Sequence, residues 1–336
     1  HLKKIHALSF LKKSLLEDTD HWNSVIENAC DHNAWFIRKN IEQSIEAITN
    51  EMLDAEKLEN WIGNYNLNAT ENPKKIGLIM AGNLPLVGFA DWLSVFMSGN
   101  IALVKCSDKD NILFPALMNK LNEIDSESEN KTQIIERLKD YDAVIATGSN
   151  NSSIYFENYF KHVPHIIRKN RTSVAVLDGT ESDEVILKIG NDIHAYFGLG
   201  CRNVSKIYLP VGYDVKKLLA VWETQQDNIN FNKYKNNFDY NLSLYLLNKI
   251  PFYTDNSLIL IEDKSLFSRI SCIHFEFYDY KDSLIDSLTQ TLDDIQCIVS
   301  ERPLANLKVT SPGETQHPSL MDYADNVDTM QFLLNL

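Results

Sequence analysis

The sequence predicts an α/β fold of two related lobes, each a three-layer α/β/α sandwich on a mostly parallel sheet. Two observations carry this. Short apolar runs alternate with helical stretches of crossover length, which is the pattern of right-handed βαβ units. That alternation starts near residue 75 and starts again near residue 172, so two lobes meeting near 170 account for a chain of 336 residues.

Residues 1–70 read as charged helices, with Trp22, Trp35, Phe36 and Trp61 available to dock them on a neighbouring layer. Lys75–Met80 is then a compact apolar strand running into the turn Ala81-Gly82-Asn83-Leu84-Pro85. A helix follows to about Ser98, and Ile101–Lys105 is the next strand. A polar helical segment leads to the apolar run Ala143–Ala146, which closes in Thr147-Gly148-Ser149. In the second lobe Ser173–Leu177 is a strand, and Val185, Ile186, Ile189, Ile193, Tyr196 and Phe197 keep a helical period. That spacing predicts a helix that stops at Gly198-Leu199-Gly200, with Cys201 next and a strand over Val204–Leu209. Further strands are expected at 257–261, 274–278 and 297–300. The resulting domains are 1–170, 171–310 and a C-terminal segment 311–336, expected to pack back on the first lobe or to serve oligomerisation.

Composition excludes several classes. Hydrophobic residues make up 44% and charged residues 23%, the balance of an ordinary globular protein. A net charge of -14 argues against nucleic acid or an anionic membrane face as partner. The five dispersed cysteines (Cys30, Cys106, Cys201, Cys272, Cys297) lack CxxC or histidine at metal-ligand spacing, so neither a disulfide framework nor a metal is expected, and a reducing compartment is. No apolar run is long enough to span a bilayer, and the first residues lack the features of a secretory signal, which together point to the cytoplasm.

Cys201 is the sharpest chemical candidate. The flanking glycines allow close approach to the backbone, where amide N–H groups can stabilise an oxyanion; the alternative is a small residue filling a turn. Asn83 sits where open α/β sheets bind ligands, as an amide donor or as a turn-forming asparagine. Lys105 ends a strand and can contact a ribose or phosphate, or simply meet water. Thr147-Gly148-Ser149 precedes a helix start, a phosphate-accepting arrangement. No GxGxxG is present, which disfavours an ordinary Rossmann dehydrogenase. Lys161, His162, His165, Arg168, Lys169 and Arg171 form a basic run in an acidic chain. Arg168 and Lys169 in it are candidate phosphate contacts, against a charged strand edge that deters aggregation. His194, on the buried face of its helix, reads as a core histidine.

In order and spacing, these segments resemble the aldehyde dehydrogenase superfamily over about 75–210. Gly82-Asn83-Leu84-Pro85 matches the turn whose asparagine is an oxyanion donor, and Ser98–Lys105 matches the stretch whose lysine contacts the cofactor ribose. Thr147-Gly148-Ser149 resembles the turn beside the cofactor, and Gly198-Leu199-Gly200-Cys201 the nucleophile loop. The resemblance makes 1–170 the cofactor-binding domain and 171–310 the catalytic domain. Oxidising members carry a glutamate that activates water just before the strand starting here at Ser173, but residues 165–173, HIIRKNRTS, hold no carboxylate. Without such a base, hydrolysis of a thioester slows by typically about 10²–10⁴. The pattern is therefore similar to the acylating reductases, and among them to the long-chain fatty acyl-CoA reductases of the bacterial bioluminescence type. The run 322–330, DYADNVDTM, is similar to that subfamily too. The resemblance implies reduction of a long-chain acyl-CoA by NADPH, with NADH left open, and a homo-oligomer or a place in a fatty-acid reductase-type complex. Reduction of a short acyl-CoA or an acyl phosphate, or an inactive cofactor-binding scaffold in such a complex, are the alternatives.

Overall fold

The computed structural model describes residues 1–67, 72–148 and 150–336. Two compact units emerge, residues 1–170 with 318–336, and residues 171–317. Among the described residues no helix is long and apolar enough to cross a membrane.

The first unit opens with α1 (Leu2–Glu17), α2 (Thr19–His32), α3 (Arg38–Ala47), a π-helical turn and α4 (Ala55–Ile62). In α1 the residues Ile5, Leu8, Leu11 and Leu15 recur every three or four positions, so one stripe is buried while Lys3 and Lys13 face water. Trp22, Phe36 and Trp61 are buried as the docking aromatics. There follow β1 (Lys75–Ile79), α5 (Phe89–Ser98), β2 (Ile101–Lys105), α6 (Leu113–Ile124) and β3 (Thr132–Ile134). Then come β4 (Ala143–Thr147), α7 (Asn150–Phe160) and β5 (His165–Arg168). The strands form an all-parallel sheet in the order β3-β2-β1-β4-β5. Such strands are covered on both faces, which is why β1, β2 and β4 read as near-continuous apolar runs. The Trp92 indole of α5 donates to Thr132 Oγ1 at 2.9 Å and ties α5 to the edge strand.

The C-terminal stretch of this unit is pinned to it by side chains. Trp61 Nε1 donates to the Tyr323 hydroxyl at 2.8 Å, and the Tyr65 hydroxyl donates to Asp328 Oδ2 at 2.9 Å. The last helix, α12 (Thr329–Leu334), packs on α5 through Met330 and Leu333.

The second unit runs β6 (Thr172–Val176), α8 (Asp183–His194), β7 (Val204–Pro210), α9 (Val215–Trp222) and α10 (Asn232–Leu247). It continues with β8 (Tyr253–Thr254), β9 (Ile259–Glu262), β10 (Cys272–Tyr278), α11 (Lys281–Gln290) and β11 (Ile295–Val299). Its sheet has the order β11-β6-β7-β10-β9-β8 and is parallel except for β8 against β9. Helix α8 starts on a Ser182 cap, whose Oγ accepts from Val185 N, and buries Ile186, Ile189 and Ile193. It stops at His194, short of the expected Phe197. Tyr196 and Phe197 instead take left-handed backbone, φ 50° and 60°, and their rings stay buried. The helical spacing of these two aromatics reflects burial by a strained turn, not continuation of the helix.

Candidate active site

In the first unit the chain direction across the sheet reverses between β1 and β4, because β2 and β3 lie on one side of β1 while β4 and β5 lie on the other. Ligands of open α/β sheets bind outside the carboxyl ends at such a reversal. Three of the expected positions stand on this edge. Lys105 is the half-buried last residue of β2, in register with Ile79 of β1, and Ile79 is in turn in register with Ala146 of β4. Thr147 therefore ends β4, with Gly148 next, about two strand spacings, roughly 10 Å, from Lys105, and β1 lies between them. Ser149 lies outside the described residues.

The turn after β1 is braced from elsewhere in the unit. At Gly82 a Cβ would come within 2.6 Å of Ser107 Oγ and 2.7 Å of Ser107 Cβ, so glycine is required for space. Ser44 of α3 donates its hydroxyl to Pro85 O at 2.8 Å. Leu86 has φ 58°, and its N–H donates to Asp110 Oδ2 at 2.9 Å. Asn83 is thereby left exposed on the turn. His32 Nε2 meets Asp108 O at 2.7 Å, and Asn33 Nδ2 donates to Lys109 O at 3.1 Å. The N-terminal helices thus hold both loops that follow β1 and β2. Burial pushes the Asp110 carboxyl up to about 6, since the charged form loses its water.

Arg168 is a correction to the phosphate-contact expectation. It is 4% exposed, and its guanidinium makes a bidentate pair with Asp91 of α5 (Nε to Oδ2 2.9 Å, Nη2 to Oδ1 2.6 Å). It also donates to Ala324 O at 2.6 Å and Thr329 Oγ1 at 2.8 Å. The residue is an internal clamp on the C-terminal stretch. Lys169, one position past the end of β5, is exposed.

In the second unit Cys201 sits in the turn between α8 and β7, half-buried, at the amino end of its sheet. Asn203, 2% exposed, organises this turn. Its Oδ1 accepts from Gly200 N at 2.8 Å, and its Nδ2 donates to Asp192 O at 3.0 Å and Ala195 O at 2.8 Å. Ser173 Oγ donates to Cys201 O at 3.0 Å and accepts from Cys297 N at 3.1 Å. Arg202 Nη1 lies 3.4 Å from Cys297 Sγ. Asp192, at the end of α8, accepts from Gly313 N (2.7 Å), Thr315 N (3.2 Å) and Thr315 Oγ1 (2.7 Å), and burial pushes its carboxyl up to about 6. Burial also raises the thiols of Cys106 and Cys272 to about 11, and that of Cys30 upward, which disfavours their thiolates at neutral pH. Cys297 is 5% exposed. Access and a glycine-bordered turn coincide at Cys201. Among the described residues no group of three or more His, Cys, Asp and Glu is placed to hold a metal ion.

Residue-by-residue reading missed Asn203, Ser173, Ser44 and Asp110. Only Asn203 carried a local signal, an asparagine three residues beyond a turn glycine.

Known proteins frame these two regions. Similar folds occur in aldehyde dehydrogenase 21 from Physcomitrella patens (TM-score 0.66, 10% identity, 89% of this chain and 73% of that one). The Mycobacterium tuberculosis aldehyde dehydrogenase complexed with NAD+ is similar too (0.64, 14%, 88% and 72%). So is aldehyde dehydrogenase C of Pseudomonas syringae, solved as a mutant with NAD+ and octanal (0.63, 10%, 88% and 71%). At these identities the likeness shows the fold, which is that of the aldehyde dehydrogenases. No curated protein matches the chain. Residues 3–218 match the profile of one family, acyl-CoA reductase (LuxC), and so cover both the β1 turn and the Cys201 turn. The chain belongs to the acyl-CoA reductase (LuxC) family, as an oxidoreductase on the aldehyde dehydrogenase fold.

Proposed function

We propose that this chain reduces a long-chain acyl-CoA to the aldehyde through a thioester on Cys201, with NADPH as reductant. The observation that carries the reading is an accessible cysteine in a turn braced by buried polar side chains, in a chain of this family with no carboxylate over residues 165–173. The Cys201 thiolate attacks the acyl carbon, the C–S bond to coenzyme A breaks, and the coenzyme thiolate leaves and takes up a proton. The Cys201 amide supplies an oxyanion donor in this reading, and the family resemblance assigns a donor role to Asn83 as well. The carboxyl edge of the first sheet fits a dinucleotide. It offers a crevice at a sheet reversal, Lys105 at a strand end, and the start of α7 directly behind Thr147-Gly148. Lys105 and Thr147-Gly148 would hold a nicotinamide cofactor there, and the chemistry it would supply is hydride. The thiohemiacetal on Cys201 then collapses, releasing aldehyde and the thiolate. With no carboxylate in that stretch to activate water, the thioester survives until it is reduced.

NAD+ in two similar folds, with octanal in one, supports a nicotinamide group and an aliphatic aldehyde on this architecture. Exposed Lys169 supports a 2′-phosphate and hence NADPH. The cytoplasmic location and the oligomer or complex belong to the same proposal, and sedimentation with and without acyl-CoA tests the latter.

Intact mass after incubation with acyl-CoA and no cofactor tests the central step. The wild type gains one acyl mass, while Cys201→Ala gains none and loses at least about 10³-fold in turnover. A wild type that stays unmodified removes the reading. A ladder of acyl donors separates long-chain from short-chain and acyl-phosphate substrates, and a larger thermal shift with NADPH than with NADH fixes the cofactor. Lys169→Ala raises KM for one anionic ligand by about three- to tenfold with thermal midpoint unchanged; an unaltered KM for both removes its phosphate role.

A further inference from the structure

We infer that Asn203 and Ser173 are positioning residues that set the aim of Cys201, an inference that rests on the proposed nucleophile role. The apolar spacing of α8 runs through Tyr196 and Phe197, so the local preference is for more helix than the structure contains. In a continuing helix Asp192 O would accept from residue 196 and Ala195 O from residue 199. Both carbonyls instead accept from Asn203 Nδ2, at 3.0 and 2.8 Å, which ends the helix and holds the left-handed Tyr196-Phe197 step in place. Two consecutive non-glycine residues in that region are unfavourable and persist only where neighbours over-determine them.

The peptide planes around the sulfur-bearing residue are then fixed one by one. Asn203 Oδ1 holds Gly200 N–H, and Asn203 N–H holds Gly200 O at 3.1 Å. The second bond orients the plane that contains the Cys201 amide, the proposed oxyanion donor. Ser173 Oγ holds Cys201 O, which orients the plane on the other side. Ser173 can do this because the ladder is irregular on both sides of β6 there, with shifts between Ser173 and Val174 and between Ile295 and Ile298. Its hydroxyl, 0% exposed, takes up Cys297 N–H on one side and Cys201 O on the other. A turn that only needed to be stable would be met by a helix running on; these two side chains impose a different geometry on the one residue between them.

The test is pre-steady-state acylation by a long-chain acyl-CoA, read by intact mass on wild type, Asn203→Ala, Ser173→Ala and Ser173→Thr, with the folded fraction of each measured by near-UV circular dichroism. The expected result is acylation slowed at least tenfold in both alanine variants, at an unchanged half-saturating concentration, and restored to within threefold by Ser173→Thr, which keeps the hydroxyl. Alanine variants that acylate at the wild-type rate per folded molecule, or Ser173→Thr as slow as Ser173→Ala, overturn it. Should Asn203→Ala not fold, the Ser173 pair decides alone. A wild type that is never acylated overturns the nucleophile reading itself, and is told apart because it shows before any variant is compared.

Discussion

The turn after β1 and the turn before β7 carry the same sequence signal, a glycine directly before the candidate residue, yet they are built differently. Around Asn83 the bracing comes from far along the chain: Ser44 is 41 residues from Pro85, and Asp110 is 24 from Leu86. Around Cys201 the main brace is Asn203, within the turn itself, helped by Ser173. The first turn is held by contacts from separate elements, Ser107 against Gly82 included, and the second mainly by hydrogen bonds within the turn. Helices α2 and α3, which by sequence alone had no task beyond docking, therefore support the loops that follow β1 and β2.

Gly82 offers the largest test of that contrast. A methyl group there meets Ser107, which cannot withdraw because its Oγ accepts from Lys109 N and its carbonyl accepts from Asp110 N. Gly82→Ala is expected to destabilise by about 3 kcal/mol, the upper range of overpacking, read as a lowered urea midpoint with unchanged slope. A near-neutral result would mean that the first turn is as self-contained as the second.

The two buried carboxyls sharpen the comparison next. Asp110 and Asp192 are each pushed up to about 6 from 3.8, chiefly by burial. The folded state then binds the proton more tightly than the unfolded one. The stability each contributes is full below pH 4 and is lost as pH rises through 6, on the order of 3 kcal/mol apiece. Asp110 has one buried oxygen, Oδ1, without a hydrogen-bond partner among the described residues. Asparagine can place its amide there and keep the bond to Leu86. Asp110→Asn should remove its share of the pH slope and match or exceed wild type at pH 7. Asp192 accepts three donors, so its amide would face N–H groups, and Asp192→Asn should destabilise throughout pH 4–7. Urea titrations at four pH values separate the two outcomes, and identical behaviour would erase the distinction.

What could be read beforehand follows the same division between local and distant causes. Strands β1, β2, β4, β6 and β7 were legible because double-sided burial leaves continuous apolar runs. The edge strands β3 and β8, three and two residues long, carry no such run. The stop of α8 at His194 was not legible, because the side chain that ends the helix lies nine residues further on. Arg168 looked like part of a solvent-facing basic run. Its burial depends on Asp91, 77 residues away, and the available hint was one acid in the apolar stretch of α5. Cys201 presents the reverse case. The rule of carboxyl-edge binding points away from the amino end of its sheet, and its glycine turn together with the ordered motifs made it the candidate.

The smallest predicted effect closes the comparison between the turns. Gly198 has φ +75°, but a Cβ built on it would find nothing nearer than Ile193 O at 3.6 Å, an ordinary contact. Space is available, so Gly198→Ala carries only the conformational penalty of the left-handed region, about 1 kcal/mol. For a unit of this size that corresponds to a fall of roughly 2–4 °C in thermal midpoint. Gly198→Asn, which tolerates left-handed backbone, should recover about half of it. A loss as large as that of Gly82→Ala would show the Cys201 turn to be held by packing after all, whereas a small, asparagine-rescued loss is what a turn held by its own hydrogen bonds produces.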